Sequence, residues 1–311
     1  MPHKRLLVTG ATGFLGAAVV LEAAKSNWDV VAQVHTHEMS IDRVLPVNAD
    51  LSSIGSGQRL IDQVQPDAVI NCAALANVDG CEINPRLAKR LNADLVGELA
   101  GECNSRGTRF VHVSTDAVFG GAPPPYFADT DPAPLNTYGA TKMAGEKQAL
   151  VMFPECTVAR TNIIGWSPSG TRSLLEFFFT RLKDSVITPG FDDVLFRPAA
   201  TPQVARQLLA LAANTVSGNI HLTGDTLLSK FAFGQLVAST FGFDIELVQP
   251  MSIADGAPVA RRANNLDVRP SSDVLIGPLA INLEKGMIEL RDLRQHGFCE
   301  DLCNAVSRVT P

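Results

Sequence analysis

An apolar run, Leu6-Leu7-Val8, gives way at once to Thr9-Gly10-Ala11-Thr12-Gly13-Phe14-Leu15-Gly16, and the chain then continues as an apolar-periodic segment from Phe14 to Ala24. No other stretch restricts the fold as strongly. A short leucine-rich and β-branched strand that breaks into spaced glycines and restarts with helical period predicts strand, tight turn, helix. Gly10 permits the turn, Gly13 lets backbone N–H groups approach an anion with no Cβ in the way, and Gly16 lets the helix pack closely on the strand. The phosphates of a dinucleotide would then meet the positive end of the helix. The spacing is Gly-x2-Gly-x2-Gly, one residue off G-x-G-x-x-G, and its place between a first strand and a first helix sets it apart from an ordinary turn.

The rest of the chain repeats the alternation that such a start requires. Asp29 to Val34, Leu45 to Asn48, Pro66 to Ala74, Arg109 to Val113 and Thr157 to Thr161 read as strands, the last as the one that completes the sheet. Gln58–Val64, Pro85–Ser105 and Tyr138–Val151 read as helices between them. The expected class is α/β, a doubly wound, mostly parallel Rossmann-type sheet with a smaller C-terminal substrate lobe. Residues 1–162 with about 195–225 are expected to form the dinucleotide-binding domain, and about 163–194 with 226–311 the lobe. Beyond Thr161, Pro202–Ala213 and Phe231–Phe241 read as helices, Asn219–Thr223 as a strand, Leu283–Gln295 as a last helix, and Phe177-Phe178-Phe179 as core packing. At 311 residues the chain has ample length for one such unit.

Composition excludes several other classes. The formal net charge of −6, with no basic block, weighs against nucleic acid or a membrane surface as partner. No apolar run approaches the ~18 residues of a membrane span, and Met1 to Arg5 run straight into the first strand, so a cytoplasmic protein is expected. The six cysteines show no C-x-x-C pair and read as free thiols. His296, Cys299 and Cys303 fall near one another on a helix, but without paired spacing or a fourth ligand they do not make a zinc site, and no metal is expected.

Candidate chemistry collects at predicted strand ends. No acid follows the second strand: Val34 stands where an Asp or Glu would receive a ribose 2′-hydroxyl, which favours NADP(H) over NAD(H), with His35, His37 or Arg43 as candidate phosphate contacts. Asp50, beside Leu51, is placed to accept from an adenine amino group or to cap the following helix. The small residues Cys72, Ala73 and Ala74 leave room for a ligand. Ser114-Thr115-Asp116 puts hydroxyls and a carboxylate at the ligand edge. A Gly- and Pro-rich loop, Gly120 to Leu135, is expected to run over the surface before Tyr138-Gly139-Ala140-Thr141-Lys142 opens a helix. Tyr138 and Lys142, four apart, share a helix face. A phenol titrates near ~10 in water, and an adjacent ammonium favours phenolate, which makes Tyr138 a candidate acid, Lys142 its tuner and Thr115 a second donor to a substrate carbonyl. Arg261 and Arg262 stand in a loop, as a diphosphate clamp or as paired surface charges.

Taken together, Thr9-Gly10-x2-Gly13-x2-Gly16, Asp50-Leu51, Asn71-Cys72-Ala73-Ala74, Ser114-Thr115-Asp116 and Tyr138-x3-Lys142 resemble the extended short-chain dehydrogenase/reductase family. Within it, Val113 to Phe119 and Pro134 to Glu146 are similar to the dTDP-4-dehydrorhamnose reductase family. That resemblance implies Thr115, Tyr138 and Lys142 as a catalytic set and NAD(P)H delivering hydride to a 4-keto carbon of a nucleotide-linked sugar. It also implies cofactor contacts at Gly10, Thr12, Gly13, Phe14, Leu15, Gly16, His35, Asp50, Leu51, Cys72, Ala73, Ala74, Val113 and Thr161, substrate contacts at Val78, Asp116, Ala117, Ile163, Arg261 and Arg262, and a homodimer as the candidate assembly. Ala117 and Ile163 replace the Tyr and Trp usual in the family, and Asp192 to Pro198 match its next motif loosely; these departures bear on the sugar rather than on hydride transfer. The regulatory β subunit of methionine adenosyltransferase is similar to the same reductases, so a cofactor-binding regulatory subunit, or an epimerase or reductase of another ketone, stands as the alternative.

Overall fold

A computed structural model describes residues 4–255, 260–271 and 280–308, so Met1 to His3 and Val259 lie outside the described residues. Seven strands form the central sheet: β1 (Lys4–Thr9), β2 (Trp28–Val34), β3 (Val44–Asn48), β4 (Ala68–Asn71), β5 (Arg109–Thr115), β6 (Thr157–Thr161) and β7 (Gly218–Leu222). Their order is β7-β6-β5-β4-β1-β2-β3, every neighbouring pair parallel. β6 therefore does not complete the sheet as expected, because β7 pairs along its outer side.

Successive side chains of a strand point to opposite faces, and the apolar run of β1 uses both. Leu6 and Val8 pack with α1 (Phe14–Ala24) on one face, while Leu7 packs on the other with α2 (Ser56–Val64) and α3 (Leu95–Arg106). A further helix, α4 (Thr137–Met152), joins the second face, and α6 (Thr201–Ala212) joins the first beyond α5 (Leu174–Lys183). The first-face core runs without a break into the C-terminal residues, reaching Trp166, Phe178, Phe179 and, on α7 (Lys230–Phe241), Phe233 and Val237. Phe178 and Phe179 are core as expected, but Phe177 is 42% exposed and faces the cavity described below.

Two local departures follow from identifiable interactions. The expected helix Pro85–Ser105 is helical throughout but carries a π turn at Arg90–Asp94, where Asn92 turns its amide to both backbone groups of Leu75 and to Thr141. The Gly120 to Leu135 loop is pinned rather than laid over the surface: Tyr126 is buried, stacks on Phe119 at 4.6 Å and pairs its backbone with Asp267 and Arg269. Among the described residues no helix is long and apolar enough to cross a membrane.

Candidate active site

Because all seven strands are parallel, their carboxyl ends lie along one edge; the chain runs outward from β1 through β2 to β3 and then crosses back to β4 on the other side of β1. Ligands of open α/β sheets bind in the crevice at such a switch point. The glycine loop fills that position. Gly10 adopts φ +61° and its N–H is held by Gln33 Oε1 at 2.8 Å, while a Cβ there would lie 2.8 Å from the Ala73 backbone. Gly16 is needed for a different contact from the one expected: a Cβ would sit 2.1 Å from the carbonyl oxygen of Gly10, so this glycine seats the helix on its own entry loop rather than on the strand. Gly13 is the N-cap of α1 with no side-chain acceptor, and Ala17 N–H is the first to bond back, to Gly13 O at 3.0 Å. The preceding helical N–H groups are therefore available to an anion, with no acidic residue in the first turn to oppose it.

Opening from this edge is a cavity of about 1220 Å³, more than one small ligand needs. Its wall brings together the expected residues Gly13, Phe14, Leu15, Gly16, Cys72, Ala74, Val78, Val113, Thr115, Asp116, Ala117, Tyr138, Lys142, Thr161, Ile163 and Arg262. Gly10, Thr12 and Ala73 do not line it. Thr161 spends its hydroxyl on Leu222 O at 2.7 Å, tying β6 to β7. His35, Asp50 and Leu51 also lie off this wall. Leu51 is in the core, and the exposed His35 stands 4.0 Å from Asp50. Asp50 does not cap α2, whose N-cap is Gly55; its carboxylate holds the N–H and hydroxyl of Ser52. His37 lies in a short strand paired with Val306–Arg308, its ring against the Thr36 hydroxyl, and Arg43 occupies a left-handed turn. The two loop arginines are separated: exposed Arg261 contributes a carbonyl to Asn136, whereas Arg262 faces the cavity 3.6 Å from Asp79. His296 binds Asp292 O, and among the described residues no group of His, Cys, Asp and Glu is arranged to hold a metal ion.

The start of α4 is fixed tightly. Asn136 caps Gly139 N–H at 2.8 Å, Glu82 takes the N–H and hydroxyl of Thr137, and a Cβ at Gly139 would lie 2.3 Å from Ala117 O. Only glycine allows the helix to seat on the turn after Thr115, and this seating brings Tyr138 to hydrogen-bond with Thr115. Burial pushes the phenol up to about 12, the Asp116 charge adds to this, and the Thr115 hydrogen bond works against it. The expected tuning by Lys142 is not what the geometry shows. Lys142 is 2% exposed, donates to Val113 O at 2.6 Å and lies 3.3 Å from His112 Nε2. Desolvation lowers it to about 8, with Glu146 pulling the other way.

Four participants carried no legible motif. His112 is wholly buried beneath Lys142. Gln33 organises the glycine loop. Asn162 donates to Asp116, whose carboxyl burial raises to about 6. Lys230, at the first turn of α7, lines the cavity and stands over the Phe191 ring, and burial together with Arg262 lowers its proton affinity. Only the juxtaposition of α7 with the strand ends makes Lys230 visible, so no spacing in the sequence would have found it.

The family model described as the RmlD substrate binding domain matches residues 4–272. The chain belongs to this family. A relative in Haloferax volcanii, named a probable low-salt glycan biosynthesis reductase, is 33% identical over 267 residues, 84% of this chain and 89% of that one. A dTDP-4-dehydrorhamnose reductase of Mycobacterium tuberculosis is also 33% identical, covering 84% of this chain and 83% of its own. The crystal structure of a dTDP-4-dehydrorhamnose reductase from Clostridium acetobutylicum superposes with a TM-score of 0.81 at 25% identity, covering 94% of this chain and 99% of that one. Family membership and the all-parallel sheet together establish the extended short-chain dehydrogenase/reductase fold.

Proposed function

We propose that this protein is an NAD(P)H-dependent reductase of a keto group on a nucleotide-linked deoxysugar, similar in reaction to the dTDP-4-dehydrorhamnose reductases. The observation that carries the reading is the convergence of Thr115, Tyr138 and Lys142 on one cavity with the uncapped start of α1. The residues present fit a dinucleotide: free helical N–H groups beside a glycine that no Cβ obstructs suit a pyrophosphate, and small Cys72 and Ala74 suit a flat ring at the ends of the strands. When bound, the reduced nicotinamide supplies the hydride.

The remaining chemistry belongs to the chain. Negative charge develops on the carbonyl oxygen as its carbon is reduced, so a donor must already be in place. Tyr138 supplies that proton and Thr115 a second hydrogen bond to the same oxygen, while Lys142 holds the nicotinamide ribose. Lys230 and Arg262 would face the sugar diphosphate. The buried Val34 at the end of β2, with no acid there, favours NADP(H). The division into a dinucleotide-binding part and a C-terminal lobe is part of the same reading.

Supplying NADPH and a dTDP-4-keto-6-deoxysugar while following nicotinamide absorbance tests it. Oxidation of NADPH with formation of the reduced sugar is expected. Tight NADPH binding with no turnover of any nucleotide-linked ketosugar would favour the regulatory-subunit reading.

A further inference from the structure

The register of the sheet places Thr9, Asn71 and His112 side by side across β1, β4 and β5. All three are wholly buried, so each must find its hydrogen-bond partners within the protein. They form one chain: Thr9 Oγ1 lies 2.5 Å from Asn71 Oδ1, Asn71 Nδ2 lies 3.0 Å from His112 Nδ1, and His112 Nε2 lies 3.3 Å from Lys142 Nζ.

Counting donors along this chain gives two self-consistent states. Burial and the nearby Lys142 keep the imidazole neutral, so one ring nitrogen carries hydrogen and the other accepts. In the first state Thr9 donates to Asn71 Oδ1, Asn71 Nδ2 donates to His112 Nδ1, and His112 Nε2–H donates to a lone pair on Lys142, which must then be the neutral amine. In the second Lys142 is the ammonium and donates to His112 Nε2. The ring hydrogen then sits on Nδ1, the Asn71 amide is turned over to accept it, and Asn71 Nδ2 points at Thr9 Oγ1. Heavy atoms alone do not separate the two amide orientations. The second state costs the Thr9 hydroxyl its acceptor, since among the described residues its only side-chain partner is Asn71. Ala73 N–H, 3.4 Å from Thr9 Oγ1 and 3.3 Å from Asn71 Oδ1, is a donor and serves either state.

We propose that His112, Asn71 and Thr9 are positioning residues that act through Lys142: its proton, the His112 tautomer and the Asn71 amide change together as one unit. This rests on the assignment of Lys142 to the proposed reaction only for its consequence, not for its physics. The chain favours the neutral amine, and the lowering of Lys142 to about 8 has the same direction. Of the other groups facing Lys142, Glu146 is held by Arg160 and Ser114, and the Cys72 thiol is pushed up to about 12 by burial and stays neutral. Tyr138 on the same helix is likewise neutral.

Ring-15N NMR of histidine-labelled protein reads the tautomer directly, with His112→Gln used to assign the signal. His112 should show the Nε2–H form at high pH and pass to the Nδ1–H form as Lys142 gains its proton; Lys142→Met should abolish the change. Thr9→Val touches neither His112 nor Lys142, but it removes the Oγ1 that Asn71 Nδ2 and Ala73 N–H would use in the second state, leaving two unpaired donors there against one in the wild type. Its midpoint should therefore move down by roughly half to one pH unit, the worth of one neutral hydrogen bond. A His112 tautomer that does not change between pH 6 and 10, roughly the span between ordinary His and Lys titration, would overturn the proposal, as would an unmoved midpoint in folded Thr9→Val. Neither readout needs substrate, so absence of reductase activity would count against the proposed function alone. If the reaction is as proposed, the alkaline limb of kcat/KM should follow the same midpoint in Thr9→Val.

Discussion

The two walls of the cavity are built by different means. On the sheet side, the glycine loop and the ends of β1, β4, β5 and β6 present backbone groups and side chains whose partners are settled inside the protein. On the C-terminal side, Thr171 to Leu174, Phe177, Phe191, Val194 to Phe196, Lys230 and Arg262 come from separate segments and line the cavity one side chain at a time. The difference teaches where change is tolerated. A wall made of backbone approach and a buried hydrogen-bond chain admits almost no substitution, whereas a wall of single side chains can change its ligand one residue at a time.

The largest effect that would break this contrast is on the chemical step. Tyr138→Phe should leave folding and NADPH affinity close to wild type and slow reduction by roughly 10²–10⁴-fold, the usual worth of a positioned acid. Lys142→Met should instead lower both cofactor affinity and turnover. Single-turnover rates measured beside binding titrations separate the two, and wild-type turnover in Tyr138→Phe would remove it from the mechanism.

Next in size is Asp116, which stands where the walls meet. Its carboxyl is raised from 3.8 to about 6, so the folded state binds the proton more tightly than the unfolded state. The stability it contributes is present at low pH and lost as pH rises from about 4 to about 6, by up to about 3 kcal/mol. Denaturant titrations across that window should show wild type falling relative to Asp116→Asn. Parallel curves for the two proteins would show that the carboxyl carries no such cost.

Gly16→Ala probes the backbone wall alone. With a Cβ 2.1 Å from Gly10 O, the loop must shift, at a cost of about 1–3 kcal/mol in stability and with weakened dinucleotide binding. A fully stable variant with unchanged NADPH affinity would show that the approach is not tight. The smallest effect belongs to the side-chain wall: Lys230→Gln should weaken competition by a nucleoside diphosphate by about tenfold while NADPH affinity holds, the low end of the about 1.5–3 kcal/mol that one charge-assisted hydrogen bond is worth. Loss of NADPH binding instead would place Lys230 on the cofactor side.

Much of the sheet side was legible in the chain. The glycine spacing, the strand-end Ser114-Thr115-Asp116 and the Tyr138 to Lys142 interval each express a local constraint, a turn, a strand end or one helical turn, that sequence separation encodes directly. The start of α2 was missed by two residues because its cap is Gly55, a left-handed glycine with no side-chain bond, rather than Asp50. The C-terminal side was legible only in part. Arg261 and Arg262 are adjacent in sequence, yet only Arg262 reaches the cavity, since a loop's side chains take their direction from what the backbone is bound to, here Asn136 at Arg261 O.

By itself, then, the sequence determined that this chain forms a parallel sheet entered through a glycine loop and that a phenol and an amine share one helix face, because those properties depend on neighbours a few residues away. The tertiary structure alone decided where the amine points. His112 meets Lys142, 30 residues on, and Asn71 meets His112 across 41, through the register of three strands. Burial then removes water as an alternative partner, so the proton of Lys142 depends on residues with which it shares no local pattern.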